Sequence, residues 1–258
     1  LVILVLTGAA AGFAGGLFGI GGGLLIVPAL AYVFAERTAG PAMHLAVATS
    51  LAIIVPTAVA SAWTHHRRGA VRWDDVIALA PALTAGVVIG VVVADRLSAR
   101  VLAAAFGAYA LAMAAHLALN LRPAGAQRPD RRPGRFDATG LVVGALSAMI
   151  GIGGGTMITP YLLWRGRPVH AAVGTSAACA IPIALAGCAA YIAAGWGRPG
   201  LPPWSSGYVY WPAAVIMTVV STAAAPLGAR QAHRLPPAIL RRVFAVLLLA
   251  IGAKMLLG

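Results

Sequence analysis

Long apolar stretches, each separated from the next by a short polar segment, run through the whole chain. A helix needs about 20 apolar residues to cross the hydrocarbon core of a bilayer, and most of these stretches reach that length. Two of them are interrupted by a cluster of glycines. The pattern predicts helical segments at 1–18 with 23–35, 42–63, 74–94, 99–120, 138–150 with 155–164, 169–194, 208–228 and 238–257. It therefore predicts an all-α polytopic membrane protein.

The composition argues against a soluble protein. Of the 258 residues, 60% are hydrophobic and only 10% are charged, whereas soluble domains carry about 25% charged residues. The net charge of +13 would suggest a nucleic-acid partner in a soluble protein. Here the arginines lie between apolar stretches, where membrane proteins keep their cytoplasmic positive charge. We therefore expect the lipid bilayer, and no nucleic acid, as a partner.

The glycine clusters are two copies of one motif. Gly19-Ile20-Gly21-Gly22-Gly23 is followed by Pro28, and Gly151-Ile152-Gly153-Gly154-Gly155 by Pro160 at the same offset. Each glycine costs a helix roughly 1 kcal/mol relative to alanine, so four in five residues should break it. Broken helices at matching positions in two halves of a chain indicate the binding site of a transporter.

A second motif supports an internal duplication. The segment 44–50, HLAVATS, matches 170–176, HAAVGTS, and each is followed by a proline at the same offset. Agreement at several separated points is typical of a repeat. We interpret 1–121 as a first transmembrane repeat, 122–137 as a basic cytoplasmic linker with five arginines, and 138–258 as a second repeat.

The basic residues predict how the repeats are oriented. If each glycine-broken segment enters and leaves on the same side, one face holds five Lys and Arg residues and the other holds fourteen. If every segment spans, the loops of the two sides are balanced. The positive-inside rule favours the first arrangement. It leaves an odd number of full spans in each half, about four helical segments with the first one broken, so the two homologous repeats are inverted.

The breaks are suited to binding an anion. A half-helix that begins after the glycines directs its N–H groups and its positive dipole end at the break, and a ligand can approach the backbone closely where side chains are absent. The alternative is close helix packing of the small-residue kind. The paired hydroxyls Thr49, Ser50, Thr175 and Ser176 could donate to an oxyanion, or bond carbonyls four residues back in their own helices.

The roles of two histidines, and the coupling of transport to an ion, are left open by the sequence. His44 and His170 begin the helices that carry the hydroxyls, and are either interfacial or donors in the site. The six Asp and Glu residues all fall at the ends of apolar stretches or in loops, so the spans lack the ionisable group that coupled transporters often use. Moving one negative charge out of a cell gains roughly 2.3 kcal/mol per 100 mV, so anion export needs no coupling ion.

The glycine and hydroxyl motifs, over nearly the whole chain, resemble the sulfite exporter TauE/SafE family, also called the 4-toluene sulfonate uptake permease family. The resemblance implies a multi-pass carrier of the bacterial inner membrane for small sulfur-containing anions such as sulfite, sulfonates and related organosulfur acids. It implies no cofactor and no metal, and a homodimer is left open. Position 24 departs from the symmetry, because Leu24 stands where the second copy has Thr156. The implied substrate-binding residues are Gly19, Gly21, Gly22, Gly23, Thr49, Ser50, Gly151, Gly153, Gly154, Gly155, Thr156, Thr175 and Ser176, with His44 and His170 as the further candidates named above.

The resulting hypothesis is a secondary transporter, an exporter, that works by alternating access around a midplane site at the two broken helices. The alternative is a proton- or sodium-coupled uptake carrier for another small organic acid. A membrane-embedded enzyme is a third class, but the spans offer neither a nucleophile–base–acid set nor a metal-ligand cluster. We therefore predict no catalytic residue.

Overall fold

The computed structural model describes residues 2–18, 23–35, 38, 40–119, 138–232 and 237–257, and nearly all of them are helical. The helices of these ranges are α1 Val2–Phe18, α2 Gly23–Ala35, α3 Ala42–Arg67, α4 Trp73–Arg96, α5 Ala99–Ala118, α6 Ala138–Ile150, α7 Gly155–Trp164, α8 Val169–Ala194, α9 Trp211–Ala232 and α10 Pro237–Leu257. A short antiparallel hairpin, β1 Ser205–Ser206 and β2 Val209–Tyr210, precedes α9.

The helical membrane architecture predicted from the sequence is confirmed. Within the described ranges, α3, α4, α5 and α8 are long and apolar enough to cross a membrane, and shorter apolar helices accompany them. Helix α6 ends at Ile150 and α7 begins at Gly155, on either side of the second glycine cluster. The first cluster up to Gly22, and the basic linker at 122–137, lie outside the described residues. The hairpin is an element that the hydrophobic pattern did not predict.

The helices pack in pairs that cross between the two halves of the chain. Helix α1 packs on α9 and α6 on α4, while α3 packs on α8 and α5 on α10. In the α1–α9 pair, Gly8 lies against Met217 and Gly12 against Ser221, so these two helices run parallel. In the α3–α8 pair, by contrast, Gly187 lies against Leu51 and Gly174 against Ala70, so these run antiparallel.

Glycines bring α4 and α6 into backbone contact. Gly86 and Gly90 of α4 face the backbone of Leu141 and Ala145, and Gly144 of α6 faces the backbone of Leu83. Small residues spaced by four let transmembrane helices approach closely, and this close packing is a main source of helix association within lipid. The two helices run parallel here also, and α6 is fixed against a full membrane span.

Replacing Gly86 by alanine should destabilise the protein by about 1–3 kcal/mol, the usual cost of overpacking. The added methyl would lie 2.8 Å from the carbonyl carbon of Leu141 and 2.9 Å from its Cα, both backbone atoms that cannot rotate away. Thermal unfolding in detergent measures the change. Gly40→Ala is the matched control, because no atom lies within 4 Å of its Cβ position; equal melting temperatures for the two variants would contradict close α4–α6 packing.

Ion pairs tie the ends of the bundle together. At one end, buried Asp75 of α4 pairs with buried Arg167 of the α7–α8 connection, Oδ1 to Nη2 at 2.8 Å. At the other end, Asp95 of α4 pairs with Arg198 after α8, Oδ2 to Nη2 at 2.6 Å, and this pair is exposed to solvent. Helices α4 and α8 therefore run parallel to each other between the same two ends of the bundle.

Candidate functional site

The second glycine cluster turns the chain between α6 and α7. Gly151 and Gly154 have φ angles of +76° and +73°, in the left-handed region that glycine adopts without steric cost. The Ser147 carbonyl accepts from the N–H groups of Gly151 and Ile152, which ends α6. A Cβ on Gly151 would lie 2.8 Å from Val27 Cγ2 and 3.0 Å from Val47 Cα. Glycine is therefore required here by both conformation and space.

The last residue of the first glycine motif contacts the second cluster. Gly23, the last glycine of the first copy, lies at the start of α2, and its Cβ position is 3.3 Å from the carbonyl oxygen of Gly151 and 3.0 Å from Ile152 Cγ2. Gly23 is buried. This contact brings the start of α2 to the second break, as expected if both breaks lie near the centre of the bundle.

A cavity of about 340 Å³ lies beside the second break. It is walled by α3, α5, α7 and α8 and extends from Gly153 towards the ends of α3 and α5 at His65 and His116. Most of the wall is apolar, and none of the Asp, Glu, Lys and Arg residues that the structure describes lines it. The polar side chains that line it are Thr57, Ser61, His65, His116, Thr156, Thr159 and Ser176.

The backbone at the floor of the cavity presents unsatisfied donors. Gly153, Gly155 and Thr156 line the cavity, and no hydrogen bond within the described ranges satisfies their N–H groups. The first turn of a helix leaves its N–H groups without partners, and the positive end of the helix dipole adds to their attraction for an anion. This end of α7 can therefore bind an anion in a largely apolar chamber.

The four predicted hydroxyls form long-range bonds instead of bonds to their own helices. Ser50 donates to the Gly151 carbonyl at 3.0 Å, and Ser176 donates to the Gly155 carbonyl at 3.2 Å. Thr49 Oγ1 accepts from the N–H of Tyr210 at 3.1 Å. Thr175 makes the matching bond in the other half, accepting from the N–H of Arg72 at 3.0 Å. Of the two alternatives that the sequence left open, the bond to a carbonyl four residues back is not the one that these hydroxyls make.

Thr156 is held by a tyrosine from α5. Tyr109 Oη lies 2.5 Å from Thr156 Oγ1, and Thr156 lines the cavity. Its counterpart in the first half, Leu24, is fully buried in the apolar core. The departure from symmetry noted in the sequence therefore gives the second break a polar side chain that the first lacks.

The structure separates the predicted residues into groups. Gly153, Gly155, Thr156 and Ser176 come together around the cavity. Gly151 and Gly154 shape the turn, while Thr49, Ser50 and Thr175 are buried in bonds between helices. Neither His44 nor His170 lines the cavity, and His170 is exposed. Gly19, Gly21 and Gly22 lie outside the described residues.

Several polar residues of the cavity wall were not predicted from the sequence. Thr57, Ser61 and His65 recur every fourth residue on α3, a spacing that places them on one helix face, and this signal was available in the sequence. His116 and Thr159 offered no such pattern. Ser147, at the end of α6, is buried beside Gly154 with no hydrogen-bond partner among the described atoms.

Aromatic residues close the bundle on the opposite side of the break. Tyr208, which follows β1, stacks on His44 with ring centroids 5.2 Å apart and donates to Asp95 Oδ1 at 3.0 Å. Burial, together with the neighbouring carboxylate, raises the pKa of Tyr208 to about 12, so the phenol keeps its proton at neutral pH. Tyr191 donates to the Ala148 carbonyl at 3.0 Å, just before the break. His44 Nε2 donates to the Ala94 carbonyl at 3.0 Å. This histidine therefore helps to hold Tyr208 against the end of α4.

Comparison of the sequence with known proteins identifies a family and several relatives. A model of the sulfite exporter TauE/SafE family matches residues 4–255. A probable membrane transporter protein of Haemophilus influenzae is 35% identical over all of this chain and 98% of its own length. A probable membrane transporter protein of Methanocaldococcus jannaschii is 28% identical over all of this chain and 96% of its own length. No solved structure matches the chain.

Proposed function

The chain belongs to the sulfite exporter TauE/SafE family of membrane transporters, which are not enzymes, and we propose that it exports small sulfur-containing anions across the bacterial inner membrane. The substrate class is sulfite, sulfonates and related organosulfur acids. The observation that carries the proposal is the set of N–H groups of Gly153, Gly155 and Thr156 at the floor of the cavity, for which the described residues provide no acceptor.

These donors suit a sulfur oxyanion. Hydrogen bonds to a charged acceptor contribute about 1.5–3 kcal/mol each, and backbone donors provide them without the cost of burying a counter-charge. The hydroxyls of Thr156 and Ser176 lie at the same end of the cavity. The apolar residues of the wall, such as Ile54 and Met113, would contact the organic part of a sulfonate.

The helix contacts support two inverted repeats. If α1 to α5 correspond in order to α6 to α10, the α1–α9 contact corresponds to the α6–α4 contact. The α3–α8 and α5–α10 pairs then each join two corresponding helices. Since α3 and α8 are antiparallel, the helices that follow them, α4 and α9, also cross in opposite directions. Because α1 is parallel to α9 and α6 is parallel to α4, α1 and α6 enter the membrane from opposite faces. Alternating access would follow from movement of one repeat against the other around the two breaks.

The positions of the cavity and of the aromatic closure support export as the direction of transport. The cavity extends towards the end of the bundle that carries Arg67, Arg68 and Arg165, and the aromatic closure at Tyr208 lies at the other end. By the positive-inside rule the arginine-rich end is cytoplasmic. The site would therefore load from the cytoplasm, and the interior-negative potential favours outward movement of an anion.

Counterflow in proteoliposomes tests the proposed function. Purified protein should accumulate labelled substrate when the vesicles are preloaded with unlabelled substrate, using a panel of sulfite, methanesulfonate and 4-toluenesulfonate, with no sodium gradient. Empty vesicles provide the background. Absence of counterflow for every member of the panel would contradict sulfur-anion transport, and flux only under an imposed sodium gradient would favour the coupled uptake carrier.

Ser50→Ala and Ser176→Ala form a matched pair for locating the site. Each removes one hydroxyl that donates to a carbonyl of the second break, so each should cost about 1 kcal/mol of stability. Only Ser176 lines the cavity. Its hydroxyl can turn its single proton from the Gly155 carbonyl to a bound anion, exchanging a neutral hydrogen bond for a stronger charge-assisted one. We therefore expect Ser176→Ala also to weaken substrate binding by roughly fivefold, and Ser50→Ala to leave binding unchanged. Equal affinities in the two variants, measured by titration calorimetry, would place the anion elsewhere.

A further inference from the structure

Two histidines stand in the wall of the cavity at its open end. His65, on the last turn of α3, and His116, on the last turn of α5, both line the chamber and are half-buried. They belong to different helices, so the fold brings them to one chamber from positions far apart in the chain. Their place between the floor of the cavity and the arginine-rich end puts them on the path of an entering anion.

These histidines are the groups of the wall that can acquire a positive charge near neutral pH. Imidazole is the side chain whose charge ordinarily changes between pH 5 and 8. The parts of α7 and α8 that line the cavity contribute hydroxyl, glycine and apolar residues, and no carboxylate faces the histidines from these walls. Burial in the wall and the positive charge of Arg68 both oppose protonation of His65 when no anion is bound, and Tyr109 of α5 is engaged with Thr156.

An anion and a proton therefore assist each other in this chamber. A negative charge in the chamber favours the protonated form of a histidine in its wall, and the low dielectric of an apolar wall lets this attraction act over a longer distance than in water. By the same linkage, the protonated histidines favour the anion. The backbone donors at the floor supply only partial charges, so a full positive charge adds substantially to the attraction.

We propose that His65 and His116 make substrate loading proton-linked, so that the cavity binds its anion together with a proton taken up by this pair. The inference rests on the proposed function, since it assigns a regulation to the same site. Loading from the cytoplasmic side then strengthens as the cytoplasm becomes more acidic. The pair contributes to specificity as well, because a neutral molecule of the same shape gains nothing from the proton.

The test measures sulfonate affinity at pH 6 and pH 8. Sulfonates stay ionised throughout this range, whereas sulfite itself gains a proton, so a sulfonate reports only the titration of the protein. The tightest-binding sulfonate of the panel should bind roughly fivefold to tenfold more tightly to the wild-type protein at pH 6. Binding in a weakly buffered solution should also remove protons from the medium, a measurement that needs no variant.

Variants assign the effect to the pair. His65→Gln and His116→Gln keep a hydrogen-bonding side chain and remove the titration, so each should reduce the pH dependence, and the double variant should abolish it. His66→Gln is the matched control, because His66 lies outside the cavity and its Nδ1 accepts from Trp73 Nε1 at 3.0 Å; it should keep the wild-type dependence.

The outcomes separate this inference from the proposed function. Sulfonate binding that is equally tight at both pH values, or a pH dependence that survives in the double variant, would overturn the proton link and leave sulfonate transport standing. Absence of binding to any member of the panel at either pH would overturn both. Thermal unfolding of each variant shows that a lost dependence comes from the histidine and not from a misfolded protein.

Discussion

Replacing Asp75 by leucine is expected to destabilise the protein by about 3–5 kcal/mol, the typical cost of breaking a buried ion pair from one side. The Asp75 and Arg167 side chains are 1% and 3% exposed. Loss of the carboxylate would leave the guanidinium buried without this partner, and would free the α7–α8 connection from the start of α4. A carboxylate in the first turn of α4 also interacts favourably with the helix dipole. Thermal or denaturant unfolding in detergent measures the loss.

Two further variants show that the effect comes from the buried pair. The double variant Asp75→Leu/Arg167→Met replaces both charges by apolar groups and should recover much of the loss, since such replacements are often neutral. Arg198→Met breaks the other ion pair, whose side chains are 47% and 22% exposed, and should cost less than about 1 kcal/mol. If Asp75→Leu and Arg198→Met cost the same, the buried pair does not hold α7 in place.

Gly155→Val is expected to lower transport by about 100-fold or more with little loss of stability. Gly155 is the first residue of α7 and lines the cavity, and its Cβ position is 3.7 Å from Ser176 Oγ, an ordinary contact distance. The backbone therefore accepts a side chain, but the valine methyl groups would occupy the space where an anion reaches the N–H groups. The loss of two charge-assisted hydrogen bonds, at about 1.5 kcal/mol each, corresponds to the expected loss of about 100-fold in transport.

The control for this substitution is Gly40→Val, since Gly40 is exposed and has open space around it. Both variants should insert and unfold near the wild-type temperature, and only Gly155→Val should lose counterflow. Wild-type transport by folded Gly155→Val protein would show that the anion does not approach the start of α7.

Much of the helical layout could be predicted from the sequence because apolar length and glycine content are local properties. The predicted segments 42–63 and 169–194 became α3 and α8 with little change in their bounds. The second glycine cluster stands between α6 and α7, where the left-handed angles of Gly151 and Gly154 turn the chain. These features follow from backbone entropy and from the thickness of a bilayer, which need no knowledge of the packing.

The cavity could not be assembled from the sequence because its wall depends on which helices meet. His116 of α5 reaches the same chamber as Thr159 of α7 only through the tertiary packing. Likewise, nothing in the order of residues indicated that Ser50 donates to Gly151, or that Asp75 pairs with Arg167 across 92 positions. The sequence left open whether the serines bind substrate or bond carbonyls of their own helices. The close approach of the break to α3 and α8 gave them acceptors in the break and at the start of α7 instead.

The central claim, that the anion binds beside the second break, is tested most directly by protection of a cysteine placed there. In a background with Cys179→Ala and Cys188→Ala, Thr159→Cys puts a thiol in the cavity wall, and Gly40→Cys puts one on an exposed segment away from it. Saturating sulfonate should slow alkylation of the cysteine at position 159 at least about fivefold relative to chloride of equal ionic strength, and leave the one at position 40 unaffected. Unchanged alkylation at position 159, under conditions in which the sulfonate is bound, would contradict the account.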